Sequence, residues 1–206
     1  MQSGAGRKSQ PEPVVHSSLG LQALCDRLEN AGSRSILELG PVRSGNLEFW
    51  SRFSPSIFIA DLRSILPLPV QVPDPEGSEY IEPEWDRLLG LPADHRYDVV
   101  LAWDLLNYME LPAVSSLIKY LMRFCHQGTI FFALIFDQKF MPDEITVYHI
   151  ADSSHLRYDC PTSEVRACPR HQPRALGIVM SHFRTADSFR LRNGIVEYLF
   201  EYEEEQ

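Results

Sequence analysis

The chain has no apolar run long enough to cross a membrane, no closely spaced cysteine pair and no dense run of lysine or arginine. A membrane span needs about 20 consecutive apolar residues, so we predict no membrane partner. The formal net charge is −9 over 206 residues. This acidity argues against a surface that follows nucleic-acid phosphates. We therefore expect a small-molecule substrate.

Paired metal-ligand spacing is also missing. The four cysteines are widely separated: Cys25, Cys125, Cys160 and Cys168. Two of them fall near His149, His155 and His171, but the intervals are irregular, whereas structural zinc sites pair their ligands closely. We predict no metal site and expect reduced thiols, as in a cytoplasmic protein.

The N-terminal residues 1–15 are rich in Gly, Ser, Gln and Pro and lack the apolar core of a signal peptide. We expect a disordered arm there and a cytoplasmic location. Residues 16–206 are enough for one domain with a sizeable core.

The stretch from Ser33 to Asp61 organises the rest of the chain. Ile36 to Leu39 is a short apolar run that ends at Gly40, as a buried strand would. A turn-rich loop and a helical segment follow, and a second apolar run ends at Asp61. Strand, glycine-bearing loop, helix and strand form one βαβ unit, which binds nucleotide-like ligands at the carboxyl ends of its strands.

The loop after Gly40 leaves three ligand classes open. Gly40 and Gly45 have P-loop spacing, but Asn46 and Leu47 stand where Lys and Ser or Thr should follow. A dinucleotide fingerprint would need glycine at Val42. A cofactor without phosphates makes a looser demand on glycine. Asp61 lies about 20 residues past the loop, where an acid binds ribose hydroxyls; as an isolated Asp it would merely cap the next segment.

Helices and strands alternate through the remaining chain. Thr129 to Phe136 is continuously apolar, as a strand buried on both faces is. Asn193-Gly194 between two β-type runs predicts a closing hairpin. Residues 139–172 interrupt this pattern, and we interpret them as an insertion that forms a lid or a homodimer contact over the strand ends.

This order resembles the class I S-adenosylmethionine-dependent methyltransferases over about Leu19 to Tyr202. The resemblance rests on the run Ile36 to Gly40, on Asp61, and on the segment from Tyr97 to Met109, which looks like the family's fourth-strand motif. It implies an α/β, Rossmann-like three-layer sandwich. The implied sheet has seven mostly parallel strands in the order 3-2-1-4-5-7-6, with the last strand antiparallel.

The resemblance also implies roles for particular residues toward S-adenosylmethionine or its product S-adenosylhomocysteine. Glu38 would orient the loop and reach the methionine part, beside the Gly40 backbone. Asp61 would accept hydrogen bonds from the ribose hydroxyls. Ala102 and Trp103 would line the methionyl end. The adenine-contacting acid has no clear counterpart, and Glu82 is the nearest candidate.

The loop departs from the family pattern. Val42 and Ser44 stand where the family usually has glycine, and their side chains narrow the room for a cofactor. Gly45 and Asn46 are expected to restore a turn one step later, with Asn46 contacting the cofactor. Two hypotheses follow: a small-molecule methyltransferase, or a methyltransferase-like binding or structural module that has lost catalysis. A nicotinamide oxidoreductase is a distant third.

The sequence does not assign a catalytic base. A base would help to deprotonate a hydroxyl or amine acceptor, but no histidine lies in a motif that distinguishes it from a surface or core histidine. Asp104 and Asn107, just past the fourth strand of the motif, are better positioned by sequence to face an acceptor.

Overall fold

The computed structural model describes residues 15–29, 34–41, 43–54, 56–66, 82–159, 164–169 and 171–204. The α-helices in these ranges are α1 (Leu19–Glu29), α2 (Ser44–Trp50), α3 (Trp85–Leu89), α4 (Leu111–Leu121) and α5 (Pro173–Val179). Short 3-10 helices span Leu62–Ile65, Leu105–Tyr108 and Met122–Phe124.

Eleven strands are described in the same ranges. They are β1 (Val15–Ser17), β2 (Ser35–Glu38), β3 (Ser56–Ile59), β4 (Val99–Trp103), β5 (Ile130–Phe136), β6 (Phe140–Pro142), β7 (Val147–Asp152), β8 (His155–Asp159), β9 (Val165–Ala167), β10 (Phe183–Arg190) and β11 (Ile195–Tyr202).

The central sheet has six described strands in the order β10-β11-β5-β4-β2-β3. The pairings β2–β3, β2–β4 and β4–β5 are parallel, so the carboxyl ends of these four strands meet at one edge. β11 lies antiparallel to both of its neighbours. The protein therefore has an α/β fold with a mixed sheet.

The seven-strand order implied by the resemblance is not established, because the structure describes six strands. Its extra strand would fall at the weak pattern Ser78 to Glu82, which lies outside the described residues apart from Glu82. The predicted arm, residues 1–15, also lies outside them, apart from Val15, which begins β1.

Packing follows the apolar patterns. Every residue of β5 is buried, as expected for a strand with helices on both faces. The predicted stripe of α1, Leu21, Leu24 and Leu28, is buried against the sheet. After the predicted insertion, residues 139–172, α5 ends at Val179 and Phe183 already begins β10.

The described part of residues 139–172 contains four short strands, β6 to β9. β7 pairs with β8, and β8 pairs with β1 from the start of the described chain. We call β1, β7 and β8 the cover sheet. β6 and β9 form a separate two-stranded ribbon. No described helix has the length and apolar character of a membrane span.

Candidate functional site

Glu38 is the last residue of β2 and is buried at the carboxyl edge of the sheet. Its Oε1 accepts hydrogen bonds from the backbone N–H of Gly40 at 2.9 Å and from Nε1 of Trp103 at 2.7 Å. Burial raises the pKa of Glu38 to about 8, and the two donors only partly oppose this rise. A sequence-predicted cofactor contact therefore already has two partners within the chain.

Trp103 ends β4 in an unusual backbone conformation. The β4–β5 register shifts between Leu101 and Trp103, and the φ of Trp103 is +48°. A bulge of this kind re-aims a side chain, and positive φ is unfavourable for a bulky residue. The bulge directs the indole across the strand ends to Glu38, where it is 3% exposed.

Gly40 is buried beneath that indole. A Cβ at position 40 would lie 2.7 Å from Cδ1 of Trp103 and 3.0 Å from Oε1 of Glu38. Only glycine fits under the ring without displacing it. The glycine that suggested close approach of a cofactor is therefore also required by a contact inside the protein.

Asn46 connects α2 to the cover sheet. Its Nδ2 donates to the carbonyl of Tyr148 and its Oδ1 accepts from the N–H of Ile150, both at 2.9 Å. The side chain is buried. Both ends of the amide are thus bonded to β7, which is why a polar residue is tolerated at this position.

Tyr148 covers the other side of Trp103. The two rings stack with centroids 5.2 Å apart and planes 9° from parallel. Next to it, Oδ2 of Asp104 accepts a hydrogen bond from the N–H of Thr146 at 3.2 Å. Asp104 is fully buried, and burial raises its pKa to about 7. Residues 146–150 are therefore held at three points: by Trp103 and Asp104 at the end of β4, and by Asn46 of α2.

Asp61 follows β3 and is exposed. Its Oδ1 accepts from the N–H of Arg63 at 2.9 Å and caps the 3-10 helix Leu62–Ile65. The carboxylate lies close enough to contribute to the raised pKa of Glu38. Asp61 therefore caps the following segment, the simpler of the two roles that the sequence left open; the other is ribose binding. Because Asp61 is exposed, its carboxylate is also accessible from solvent.

Five of the six predicted cofactor residues are buried: Glu38, Gly40, Asn46, Ala102 and Trp103. The sixth, Asp61, is exposed. Sequence reasoning missed Tyr148 and Thr146. They lie in a weakly alternating segment about 45 residues after Trp103 in the chain, and no motif joins the two.

The polar residues expected to face an acceptor are buried instead. Asn107 donates from Nδ2 to the carbonyls of Asp104 and Leu134, and its Oδ1 accepts from the N–H of Phe136. Asn107 therefore supports the strand ends structurally. Glu82 accepts a hydrogen bond from Ser116 of α4, 2.7 Å away.

Several histidines bond elsewhere. His95 and His126 lie beside Ser35 and Asp98 at the opposite, amino-terminal edge of the parallel strands. His149 pairs with Asp159 on the cover sheet. Among the described residues no group of three or more His, Cys, Asp or Glu side chains is arranged to hold a metal ion.

A cavity of about 270 Å³ lies among segments that follow β3 and β4. Its lining includes Arg63, Tyr108, Glu144 and Arg166, and so joins the segments after β3 and β4 to residues 139–172. A second cavity, of about 210 Å³, lies near Asp98. None of the six predicted cofactor residues lines either cavity.

No protein-family model matches the chain, and no curated protein matches it in sequence. Solved structures do match it in fold. The Burkholderia thailandensis 1,6-didemethyltoxoflavin-N1-methyltransferase, crystallised with 1,6-didemethyltoxoflavin and S-adenosylhomocysteine, has 13% identity and a TM-score of 0.50. That match covers 90% of this chain and 78% of the other.

Two further structures agree. An amino pentose methyltransferase from Micromonospora echinaspora, bound to S-adenosylmethionine, has 10% identity and a TM-score of 0.51, covering 88% of this chain and 89% of the other. The N-methyltransferase NodS from Bradyrhizobium japonicum, in complex with S-adenosylhomocysteine, has 11% identity and a TM-score of 0.50, covering 89% and 86%. The chain therefore has the fold of the class I S-adenosylmethionine-dependent methyltransferases.

Proposed function

We propose that this chain binds S-adenosylmethionine and transfers its methyl group to a small molecule. The observation that carries the proposal is the convergence of Glu38, Gly40 and Asp61 at adjoining strand ends in this fold. Parallel strands bind nucleotide-like ligands at this edge. The structural neighbours named above are themselves methyltransferases, several with S-adenosylmethionine or its product bound.

The donors and acceptors of the cluster fit this cofactor, but the space does not in the closed conformation described here. Glu38 and Asp61 are the carboxyl groups that an amine and two ribose hydroxyls require, and the Gly40 backbone would border the methionine part. The indole of Trp103 occupies the space above Gly40. Cofactor entry therefore requires Trp103 to move.

A small acceptor is favoured by the cavity that Arg63, Tyr108 and Glu144 line. At about 270 Å³ it is slightly smaller than the usual range for ligand pockets, roughly 300–1,000 Å³. When bound, S-adenosylmethionine supplies an already activated methyl group, so the protein's main task is alignment of the acceptor. We assign no base, because Asp104 and Asn107 are buried with backbone partners.

Calorimetric titration of the purified, folded protein with S-adenosylhomocysteine tests the proposal. We expect saturable binding with one ligand per chain, weakened at least about tenfold in Asp61→Ala, since one lost charged hydrogen bond costs about 1.5–3 kcal/mol. The matched control is Asp86→Ala, an exposed carboxylate on α3. Absence of heat at every temperature tried, in the wild type and in variants that open the pocket, would reject the proposal.

A second candidate is a methyltransferase-like module without catalysis. The specific observation in its favour is that Glu38, Gly40 and Asn46 each have their polar partners within the chain. A side chain already satisfied in this way offers less to a ligand. Stoichiometric cofactor binding abolished by Asp61→Ala would count against this candidate.

A further inference from the structure

We infer that Trp103 is an autoinhibitory plug, which closes the cofactor pocket until β7 of the cover sheet moves away from it. The inference rests on the proposed binding of S-adenosylmethionine. It assigns Trp103 a role opposite to that of a lining residue: the indole competes with the cofactor for the space over Gly40 and for the carboxylate of Glu38.

The indole of Trp103 uses the contacts with Glu38 and Gly40 that a ligand would use. Nε1 of Trp103 donates to the same Oε1 of Glu38 that accepts from Gly40. An amine donor can replace the indole N–H, so opening exchanges one hydrogen bond for another. Without either donor, a buried carboxyl group would lose one of its two partners, which is costly.

The backbone of Trp103 is strained in the closed position. Trp103 is the one described residue other than glycine with positive φ. Such a conformation is unfavourable for an L-residue with a bulky side chain. It persists here because ring stacking on Tyr148 and the bond to Glu38 compensate for it. Strained residues of this kind cluster at switches and ligand clamps.

One segment, residues 146–150, holds the indole of Trp103 in place. Residues 146–150 carry the stacked ring of Tyr148, the backbone groups bonded to Asn46, and the N–H bonded to Asp104. The indole cannot leave Gly40 on the side covered by Tyr148 while these contacts persist. Release of the indole therefore requires residues 146–150 to give up these contacts and move away from it.

Four variants test the plug, with S-adenosylhomocysteine as the probe. Trp103→Gly removes the ring and suits the positive φ. Tyr148→Ala removes the stacking partner but leaves the predicted pocket residues intact. Trp103→Phe keeps an aromatic ring without the N–H donor. Trp85→Ala is the matched control, because Trp85 is also 3% exposed and donates one 2.7 Å hydrogen bond, to Ser116.

Calorimetry and stopped-flow binding supply the readouts. We expect Trp103→Gly and Tyr148→Ala to bind at least about tenfold more tightly than the wild type, because apparent affinity falls with the fraction of molecules in the competent state. The wild-type binding rate should level off at high ligand concentration, at the rate of opening. Trp103→Phe should lie between, and Trp85→Ala should match the wild type.

The outcomes separate the two proposals. Equal affinity in the wild type, Trp103→Gly and Tyr148→Ala overturns the plug and leaves cofactor binding standing. Weaker binding in Trp103→Gly also overturns it, since Trp103 would then be a contact of the cofactor. No binding by any variant that circular dichroism finds folded overturns cofactor binding and the plug together.

Discussion

The indole N–H of Trp103 donates a 2.7 Å hydrogen bond to the carboxyl group of Glu38, across adjacent parallel strands. Glu38 ends β2 and Trp103 ends β4, so the sheet topology brings these two residues, 65 positions apart in sequence, to the same edge, and the bulge in β4 turns the indole toward Glu38. The bond holds the indole over Gly40 at the carboxyl edge of the sheet.

Gly40→Ala should destabilise the protein by about 1–3 kcal/mol, because the added methyl group would overlap the indole of Trp103. The loss should be smaller when the same change is made in Trp103→Gly, where only the 3.0 Å approach to Oε1 of Glu38 remains. Urea unfolding of the two single variants and the double variant forms a complete cycle. Additive effects would contradict the contact between residues 40 and 103.

Raising the pH should destabilise the fold. Burial raises the pKa of Glu38 to about 8 and that of Asp104 to about 7, above their ordinary values of 4.5 and 3.8. At a pH below its ordinary pKa, each carboxyl group is protonated in both the folded and the unfolded chain, so the stability is fully present. At a pH between its ordinary pKa and its folded-state pKa, the group ionises only in the unfolded chain. The unfolding free energy therefore falls as the pH rises through this window, by up to about 1.4 kcal/mol per pH unit for each group.

Urea unfolding at pH 5, 7 and 8.5 measures this slope. Glu38→Gln keeps an oxygen acceptor for Gly40 and Trp103 but cannot ionise, so the slope should become shallower. The matched control is Glu48→Gln, an exposed carboxylate on α2, which should keep the wild-type slope. A Glu38→Gln slope identical to the wild type would contradict the proposed burial of this group.

Asn46→Ala should loosen the cover sheet locally. It removes one buried and one partly buried hydrogen bond to β7, and it leaves the Tyr148 carbonyl and the Ile150 N–H without these partners, a loss of about 1–3 kcal/mol. Hydrogen exchange followed by NMR should find faster exchange at Ile150, with amides in β5 unchanged at matched stability. Ser44→Ala, an exposed change at the start of the same helix, serves as the control.

Glu197 should prove necessary for the first helix. Its Oε2 accepts from the N–H of Gly20 at 2.7 Å, so a carboxylate of β11 stabilises the start of α1. Glu197→Leu should cost about 1–3 kcal/mol, since the Gly20 N–H would be left buried without a partner. Gly20→Ala should also destabilise the protein, because its Cβ would lie 2.8 Å from that of Glu197.

Thermal or urea unfolding measures both changes. The control is Glu201→Leu, also on β11, whose side chain bonds to Arg184 at the surface rather than to α1. Wild-type stability in Glu197→Leu would mean that Ser18, whose Oγ accepts from the N–H of Leu21, caps the helix by itself.

Local sequence determined the frame of the molecule. The apolar run of β5, the stripe of α1 and the Asn193-Gly194 turn were each predictable, because burial follows hydrophobic periodicity and a tight turn needs specific residues. The predicted closing strand, Ile195 to Tyr202, matches β11. The positions of Glu38 and Gly40 at a strand end followed from the same patterns.

Tertiary structure alone decided the state of the site. The bulge that turns Trp103 onto Gly40 arises from pairing between β4 and β5, and the stacking of Tyr148 joins segments about 45 residues apart. No periodicity encodes such pairs, because packing selects them from many apolar and aromatic side chains. The sequence predicted a cofactor site at these strand ends, which stays a prediction, and long-range packing determined that the chain's own indole lies over Gly40.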